Sequence, residues 1–395
     1  MTNRKKKRFL KTIITLFVIL LIIITLPYYK TKIYRFSEPA PFKGEIFYNP
    51  YENLKENWIK ANFHAHSKTF GGITNGKNTV EEIIERYVSL GYNLIGISNY
   101  NQTTEKKISQ KIFFYVYEHG YNLMRSHQLV INSEKPSYFD FPLFLSRSHK
   151  QYIINDIKKE NNIIVLAHPL FKKGYSHDDL KYLVNYDCIE GVSPMAQSVS
   201  HWDYALSHGH TAWIMGNDDA HDITDGKSGV CWTMINADTQ EEKTVMESLK
   251  RGSFYAVKGW LGQEMNRIKS VAVHHDTFEL VLDKISDSII IKSDWGKTVS
   301  FEINTDKITY KIKESDSYIR AEIFDTEPYN DYTKIYLNPV IRTNDNCFIK
   351  HNNTIQKNYT ATIFFVVLLV LVHCTLIYLI FLLNFRKKKV NKFLP

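Results

Sequence analysis

The chain has 395 residues, 44% hydrophobic and 23% charged, a composition that suits folded domains and excludes a disordered one. Its formal charge of +9 is carried by the two ends, in Arg4, Lys5, Lys6, Lys7, Arg8 and Lys11 and in Arg386, Lys387, Lys388, Lys389 and Lys392. Setting those 11 cations aside leaves 39 basic against 41 acidic residues, a balance of −2. The body therefore offers no basic stripe for a phosphate backbone, and no nucleic-acid partner is expected.

An apolar stretch from Thr12 to Leu26 opens the chain, followed by Pro27, Tyr28 and Tyr29. No small-x-small cleavage site follows it, so it reads as an uncleaved membrane anchor ahead of a signal peptide. A second stretch, Ile363 to Leu383, is long enough to cross a bilayer and holds no charge; His373 and Cys374 inside it read as a polar pair at a helix interface. Cations outside both stretches predict cytoplasmic termini and an extracytoplasmic body, a two-span protein whose partner is the lipid bilayer. Cys188, Cys231 and Cys347 show neither zinc-like nor disulfide-framework spacing.

Between the stretches, strands are predicted at Trp58–Phe63, Leu94–Ser98, Ile112–Tyr117, Gln128–Asn132, Ile163–Ala167, Cys188–Val192 and Ala212–Met215. Helices alternate with some of them. Thr79 and Glu82 form a capping box ahead of a helix that Gly91 stops, and Thr239 with Glu242 predicts the same start for a helix ending at Gly252. This alternation indicates a parallel α/β barrel or a doubly wound sheet. After residue 260 the pattern changes to period-two alternation (Val299, Phe301, Ile303; Ile308, Tyr310, Ile312) with a turn at Asp294-Trp295-Gly296, which predicts a small antiparallel β-sandwich. The expected division is a basic tip and first span (1–29), a linker (30–57), a barrel (58–257), a sandwich (258–345), a stalk (346–360), the second span (361–385) and a basic tail (386–395).

The chemistry-bearing residues sit at strand ends. His64-Ala65-His66 follows the first barrel strand, Glu118 ends the third, His127 comes nine residues later, His168 ends another, and Asp219-Ala220-His221 follows the last. The C-terminal ends of parallel barrel strands converge on one face, so these imidazoles and carboxylates are expected to meet there. Buried groups of this kind need partners, and a shared divalent metal satisfies many at once. Other histidines are expected elsewhere: His208 and His210 precede a strand, His119 points away from Glu118, His177 follows a helix cap, and His274 and His275 belong to the β region.

The order H-x-H, Glu, His, Ala-His-Pro, Asp-x-His over residues 58–255 resembles the PHP (polymerase and histidinol phosphatase) superfamily. The resemblance implies a distorted seven-stranded β/α barrel with a metal-dependent phosphoesterase site. It implies one metal at His64, His66, Glu118 and Asp219, a second at Glu118, His127 and His168, and His221 as a ligand of a third. Two departures fall on the third metal: Ser98-Asn99-Tyr100-Asn101 stands where the family has a Thr-Asp-His-like motif, and Gly71 and Gly72 lie where a further histidine is expected. Two ions (Zn, Mn or Fe) are therefore expected, which frees His221 to serve as proton donor or phosphate contact beside the catalytic Asp219 and Glu118. Asn99, Tyr100, Asn217 and Asp218 are expected to support the site, with Asn99 and Tyr100 also counted, alongside Arg125, Arg147 and Lys172, as substrate contacts. The expected activity is hydrolysis of a phosphate mono- or diester, on a substrate such as an envelope glycan or lipid. The alternative is a non-catalytic metal-binding scaffold with a degenerate site.

Overall fold

A computed structural model of the chain describes residues 3–104, 114–259, 266–327, 331–344, 351 and 353–385. Ile112 and Phe113 of the third predicted strand, Cys347 and the basic run after 385 lie outside the described residues.

Helix α1 (Asn3–Thr25) leads through a short 3-10 turn to strands β1 (Tyr34–Phe36) and β2 (Ile46–Tyr48). Then come β3 (Trp58–Asn62), α2 (Val80–Ser89), β4 (Leu94–Ile95), β5 (Val116–His119), β6 (Gln128–Ile131), α3 (Arg147–Ile157) and β7 (Ile163–Leu166). The alternation continues with α4 (His177–Tyr182), β8 (Cys188–Val192), α5 (Val199–Ser207), β9 (Trp213–Gly216), β10 (Cys231–Asn236), α6 (Glu242–Arg251) and β11 (Phe254–Lys258). A β-rich region follows: β12 (Ile268–His274), β13 (Thr277–Ser293), β14 (Lys297–Lys311), β15 (Tyr318–Glu327), β16 (Asp331–Leu337), β17 (Val340–Thr343) and β18 (Ile355–Lys357), before α7 (Tyr359–Phe385).

Local chemistry explains several boundaries. Thr79 Oγ1 accepts the Glu82 amide and Glu82 returns a carboxylate oxygen to the Thr79 amide, the capping box expected at α2. At α6 the expected box does not form: the N-cap is Glu241, and Thr239 instead bonds Thr244 and the Glu241 amide. Gly252 ends α6 at φ 81°, where a Cβ would strike the Trp213 indole at 2.6 Å.

The fold is mixed α/β with a curled half-barrel. One five-stranded sheet runs β5-β6-β7-β8-β9; a second, eleven-stranded sheet contains β3, β4, β10 and β11. Parallel bridges Tyr100↔Glu118 and Ala65↔Ala220 join the two sheets at their rims. The pairing departs from a uniformly parallel β/α barrel. β3–β4, β7–β8 and β8–β9 are parallel, whereas β5–β6, β6–β7 and β3–β10 are antiparallel. For β5–β6 the loop length is the cause: the few residues between His119 and Gln128 cannot hold a crossover, which parallel pairing requires.

Among the described residues, the later strands are not a separate sheet, and the expected independent β-sandwich is not confirmed. They continue the larger sheet through β11–β16 (Tyr255↔Leu337 to Lys258↔Lys334), then β16–β15, β15–β13 and β13–β12, with β14 on the β13 edge. Apolar residues of β3 and β5–β9 fill one core between the two curled sheets, with Ile59, Ala61, Val116, Leu129, Val165 and Met215 among them. A second core lies under α3–α5, and a third between α2, the other face of β3–β10–β11 and the β-rich region.

Helical segments Lys5–Lys30 and Tyr359–Phe385 are each long and apolar enough to cross a membrane. They pack as an antiparallel pair. Lys11 Nζ donates to the Leu383 carbonyl, Asn384 donates to Thr15 Oγ1, and His373 sits between Thr25 Oγ1 (2.9 Å) and Tyr29 Oη (2.8 Å).

Candidate metal centre

Strand geometry delivers one group after another to the rim where the sheets meet. His64 and His66 follow β3 on alternate positions, Glu118 is the penultimate residue of β5, His127 immediately precedes β6, His168 lies two residues past β7, and Asp219 and His221 follow β9. His168 (φ 30°) and Asp219 (φ 49°) occupy the left-handed region, a strain of order 1–3 kcal/mol each that persists only where surrounding contacts hold it.

Glu118 is fully buried and presents its two oxygens to different histidines. Oε1 meets His127 Nδ1 at 2.6 Å and His168 Nε2 at 3.3 Å; Oε2 meets His66 Nε2 at 3.2 Å and His64 Nε2 at 3.6 Å. Asp219 Oδ1 closes the far side, 3.1 Å from His64 Nε2 and 3.3 Å from both His66 Nε2 and His221 Nε2. Among the described residues, four overlapping triplets bring candidate ligand atoms within 4.8 Å of one another: His64–His66–Glu118, His64–His168–Asp219, His66–Asp219–His221 and Glu118–His127–His168.

The electrostatics favour positive charge here. Burial alone would raise the Glu118 carboxyl, yet His127 and His64 hold it well below the usual range; at Asp219 burial is likewise overcome by His64, His221 and His66. Burial disfavours a proton on His64, but Asp219, Glu190 and Glu118 pull its pKa well up. Several ligand atoms are buried with no hydrogen-bond partner, among them His64 Nε2, His66 Nε2, Glu118 Oε2, His127 Nε2 and Asp219 Oδ1. Buried polar atoms are ordinarily paired. A cluster of orphaned imidazole nitrogens and ionised oxygens fits a divalent metal and a metal-dependent hydrolase.

One functional group escaped the sequence reading. Glu190, fully buried in β8, accepts from His64 Nδ1 (2.9 Å), from the His168 amide (2.9 Å) and from Asn217 Nδ2 (3.1 Å). It orients His64 so that Nε2 faces Glu118 and Asp219, as outer carboxylates do for metal-binding histidines. The available signal was a single acid inside the apolar run Cys-Ile-Glu-Gly-Val.

The predicted supporting residues divide by contact. Asn217 Oδ1 accepts the Phe63 amide while Nδ2 reaches Glu190. Asp218 accepts from the amides of Gly229, Val230 and Cys231 and from Tyr87 Oη, tying the loop after β9 to β10 and α2. Asn99 spends both ends of its amide on Ser67, so it positions the strand after His66 and does not reach outward, contrary to its expected substrate role. Tyr100 stacks on His66 at 4.7 Å and stands edge-on to His127 at 5.7 Å. Burial, with Glu118 and Asp219 nearby, pushes its phenol far up, so it stays a donor.

Arg125 is exposed on the loop before His127 and acts electrostatically on Tyr100. Arg147 is taken by Asp178 and lies over the Tyr182 ring, none of them part of the cluster, which corrects its expected role as a substrate contact. Lys172 is exposed on the turn after His168. The remaining histidines find other partners: His119 with Gln128 and the Phe139 carbonyl, His208 with the Tyr204 carbonyl, His210 with His351 and the Lys181 carbonyl.

No family model and no curated protein sequence matches the chain. Among solved structures it is similar to a two-domain protein of Bacteroides vulgatus containing a predicted PHP-like metal-dependent phosphoesterase. That likeness is 11% identical, covers 81% of this chain and 99% of that one, and has a TM-score of 0.40. It is also similar to the lesion-specific endonuclease Q of Pyrococcus furiosus, at 16% identity over 49% of this chain and 56% of that one, TM-score 0.34. An endonuclease Q complex with a duplex bearing an abasic lesion gives 15% identity over 49% and 57%, TM-score 0.34. At this level of superposition the likenesses add nothing to the chemistry argued from the site. The first of them bears the name of the family that the order of histidines and acids resembles, and the chain is similar to that structure.

Proposed function

We propose that the chain is a membrane-anchored, metal-dependent phosphoesterase that hydrolyses a phosphate mono- or diester. The observation that carries this reading is the bridging posture of Glu118, one oxygen toward His127 and His168 and the other toward His64 and His66. His64, His66, Glu118 and Asp219 would hold one ion; Glu118, His127 and His168 would hold the second. When bound, two such divalent cations supply Lewis acidity that lowers the pKa of water and neutralises a phosphoryl centre.

The chain's own groups do the rest. Glu190 fixes His64, and Asn217 fixes Glu190. Tyr100 presents a protonated phenol beside His66. His221, its side chain 23% exposed and its ring stacked on His66 at 4.3 Å, is the ligand-type residue open to the mouth and serves as proton donor or phosphate contact. Arg125 lies outside the cluster, where a substrate phosphate would approach.

Anchoring rests on the two apolar helices, both spanning, with the catalytic body outside the cytoplasm. The polar contacts of His373 with Thr25 and Tyr29 support an uncleaved first helix, since its removal would strand His373 in lipid. The full chain in detergent should hydrolyse p-nitrophenyl phosphate or its bis ester once Mn²⁺ or Zn²⁺ is added, and His64→Ala should abolish the activity. Equal turnover in that variant refutes the reading. Tight metal binding without turnover on a broad phosphoester panel would establish the scaffold instead.

A further inference from the structure

The loop that carries Arg125 and leads into His127 is strapped to the membrane helices. Tyr28 Oη, at the end of the first apolar segment, accepts from the amides of Leu143 and Phe144 and donates to the Phe144 carbonyl, and its ring stacks on Phe144 at 4.5 Å. Segment 139–145 in turn holds the active-site loop. Buried Asp140 accepts from the Tyr121 amide and from Asn122 Nδ2, and the Leu123 amide donates to the Pro142 carbonyl.

The depth of this strap follows from the helices. The bond from Asn384 Nδ2 to Thr15 Oγ1, between two short side chains, levels the helices near their inner ends, with Lys11 about one turn below. Tyr28 lies 17 residues beyond Lys11, and Phe365 lies 19 residues before Asn384. At 1.5 Å per residue Tyr28 stands about 26 Å and Phe365 about 34 Å above Lys11, on either side of the outer edge of a hydrocarbon core about 30 Å thick. Phe365 packs with His149 (ring centroids 6.0 Å) and against the same core as Leu143 and Leu145, so segment 139–149 sits at that edge. Burial holds His149 neutral, its pKa pushed down to about 4.

The strapped loop is unusually apolar for a water-facing surface. Leu123 is 73% exposed, Tyr121 51% and Met124 39%, and next to them Phe144 is 48% exposed. Lys30 and Lys32 lie over the Phe139 and Tyr152 rings at the same end, cations placed for an anionic headgroup layer. Exposed apolar residues continuous with two membrane helices mark a surface seated in a bilayer.

We infer that the mouth of the metal centre opens onto the bilayer surface and that its substrate is a phosphate-bearing membrane lipid, admitted over the lip formed by Tyr121, Leu123 and Met124. This rests on the phosphoesterase reading and narrows it to one source of phosphate. Arg125 stands between that lip and His127, where a headgroup phosphate leaving the interface would meet it first.

Two measurements on the full chain in phosphatidylcholine nanodiscs test this. A spin label at Leu123→Cys, with Cys347→Ser and Cys374→Ser removing competing thiols, should relax more with oxygen than with a nickel chelate; a label at Ile285→Cys, on the β13–β14 arm, should do the opposite. A Leu123 label that prefers the chelate overturns the placement, whatever the enzyme does. In the presence of Mn²⁺, Leu123→Asp/Met124→Asp should slow hydrolysis of embedded long-chain phosphatidic acid about tenfold while changing p-nitrophenyl phosphate hydrolysis less than about twofold. Equal loss on both substrates, or a wild type that cleaves only the soluble one, overturns the lipid inference and leaves the phosphoesterase reading standing. A wild type inactive on both overturns the two together.

Discussion

Glu190 fixes the ring of His64 through Nδ1 and leaves Nε2 for the centre, so its removal should be felt at a distance. Glu190→Gln keeps the shape but not the charge, and metal affinity should fall about 10–100-fold, read by competition with a fluorescent chelator. Unchanged affinity would show that the His64 ring is held by packing alone. Lys60 gives a pH test outside the centre. Its ammonium lies between the Tyr92 and Trp232 rings, and burial pushes its pKa down to about 8. Between about pH 8 and the ordinary lysine value the unfolded chain binds more protons than the folded one, so this group makes stability rise with pH across that window. Lys60→Met should therefore gain most over wild type below pH 8 and lose that advantage as pH rises through the window, followed by thermal unfolding of the detergent-solubilised chain. At this scale the candidate ligands were legible because each imidazole or acid stands at or next to a strand end. Glu190 was not, because a buried acid inside a strand has the same pattern whether it supports a metal ligand or a structural bond, and Arg147 was misplaced because side-chain reach to Asp178 leaves no trace in spacing.

Elements position those residues through turns that carry strain and polar straps. Asp218 accepts three successive amides and the Tyr87 hydroxyl immediately before the strained Asp219. Asp218→Ala should cost about 3 kcal/mol of stability by leaving several buried donors unpaired, and it should also lower metal occupancy, since Asp219 loses its hold. Loss of occupancy without loss of stability would place the strap's role in the site alone. Most strands were readable as apolar runs, with shifts of a residue or two at their ends. Their pairing was not, since period and composition do not fix strand direction; the short 120–127 connection did carry that information, because antiparallel neighbours alone tolerate it. The cap of α6 shows a related ambiguity: Thr239 and Glu242 have the right spacing, but the helix starts after Glu241 and the threonine turns to Thr244.

The whole molecule couples a buried anionic centre to two apolar helices through one body. The β-rich region extends the sheet that carries β3 and β10, so it shares a core with the strand that presents His64 and His66. The period-two alternation announced its strands, but their joining to β11 depends on contacts between residues about 80 positions apart, such as Tyr255 with Leu337, which no local pattern encodes. A ligand that binds the folded state stabilises it by mass action, so stripping metal with a chelator should lower the thermal midpoint of the full chain, and Mn²⁺ or Zn²⁺ should restore it. The same treatment should leave the midpoint of Glu118→Ala unmoved.

The most direct measurement is the number of divalent ions carried per chain, by elemental analysis of the purified full-length protein beside Glu118→Gln. Two ions per wild-type chain, with both sites emptied or severely weakened in the variant, is the predicted result, because a single carboxylate faces both histidine pairs. A well-folded wild type that takes up no divalent ion, or a variant that binds as much as wild type, would contradict it.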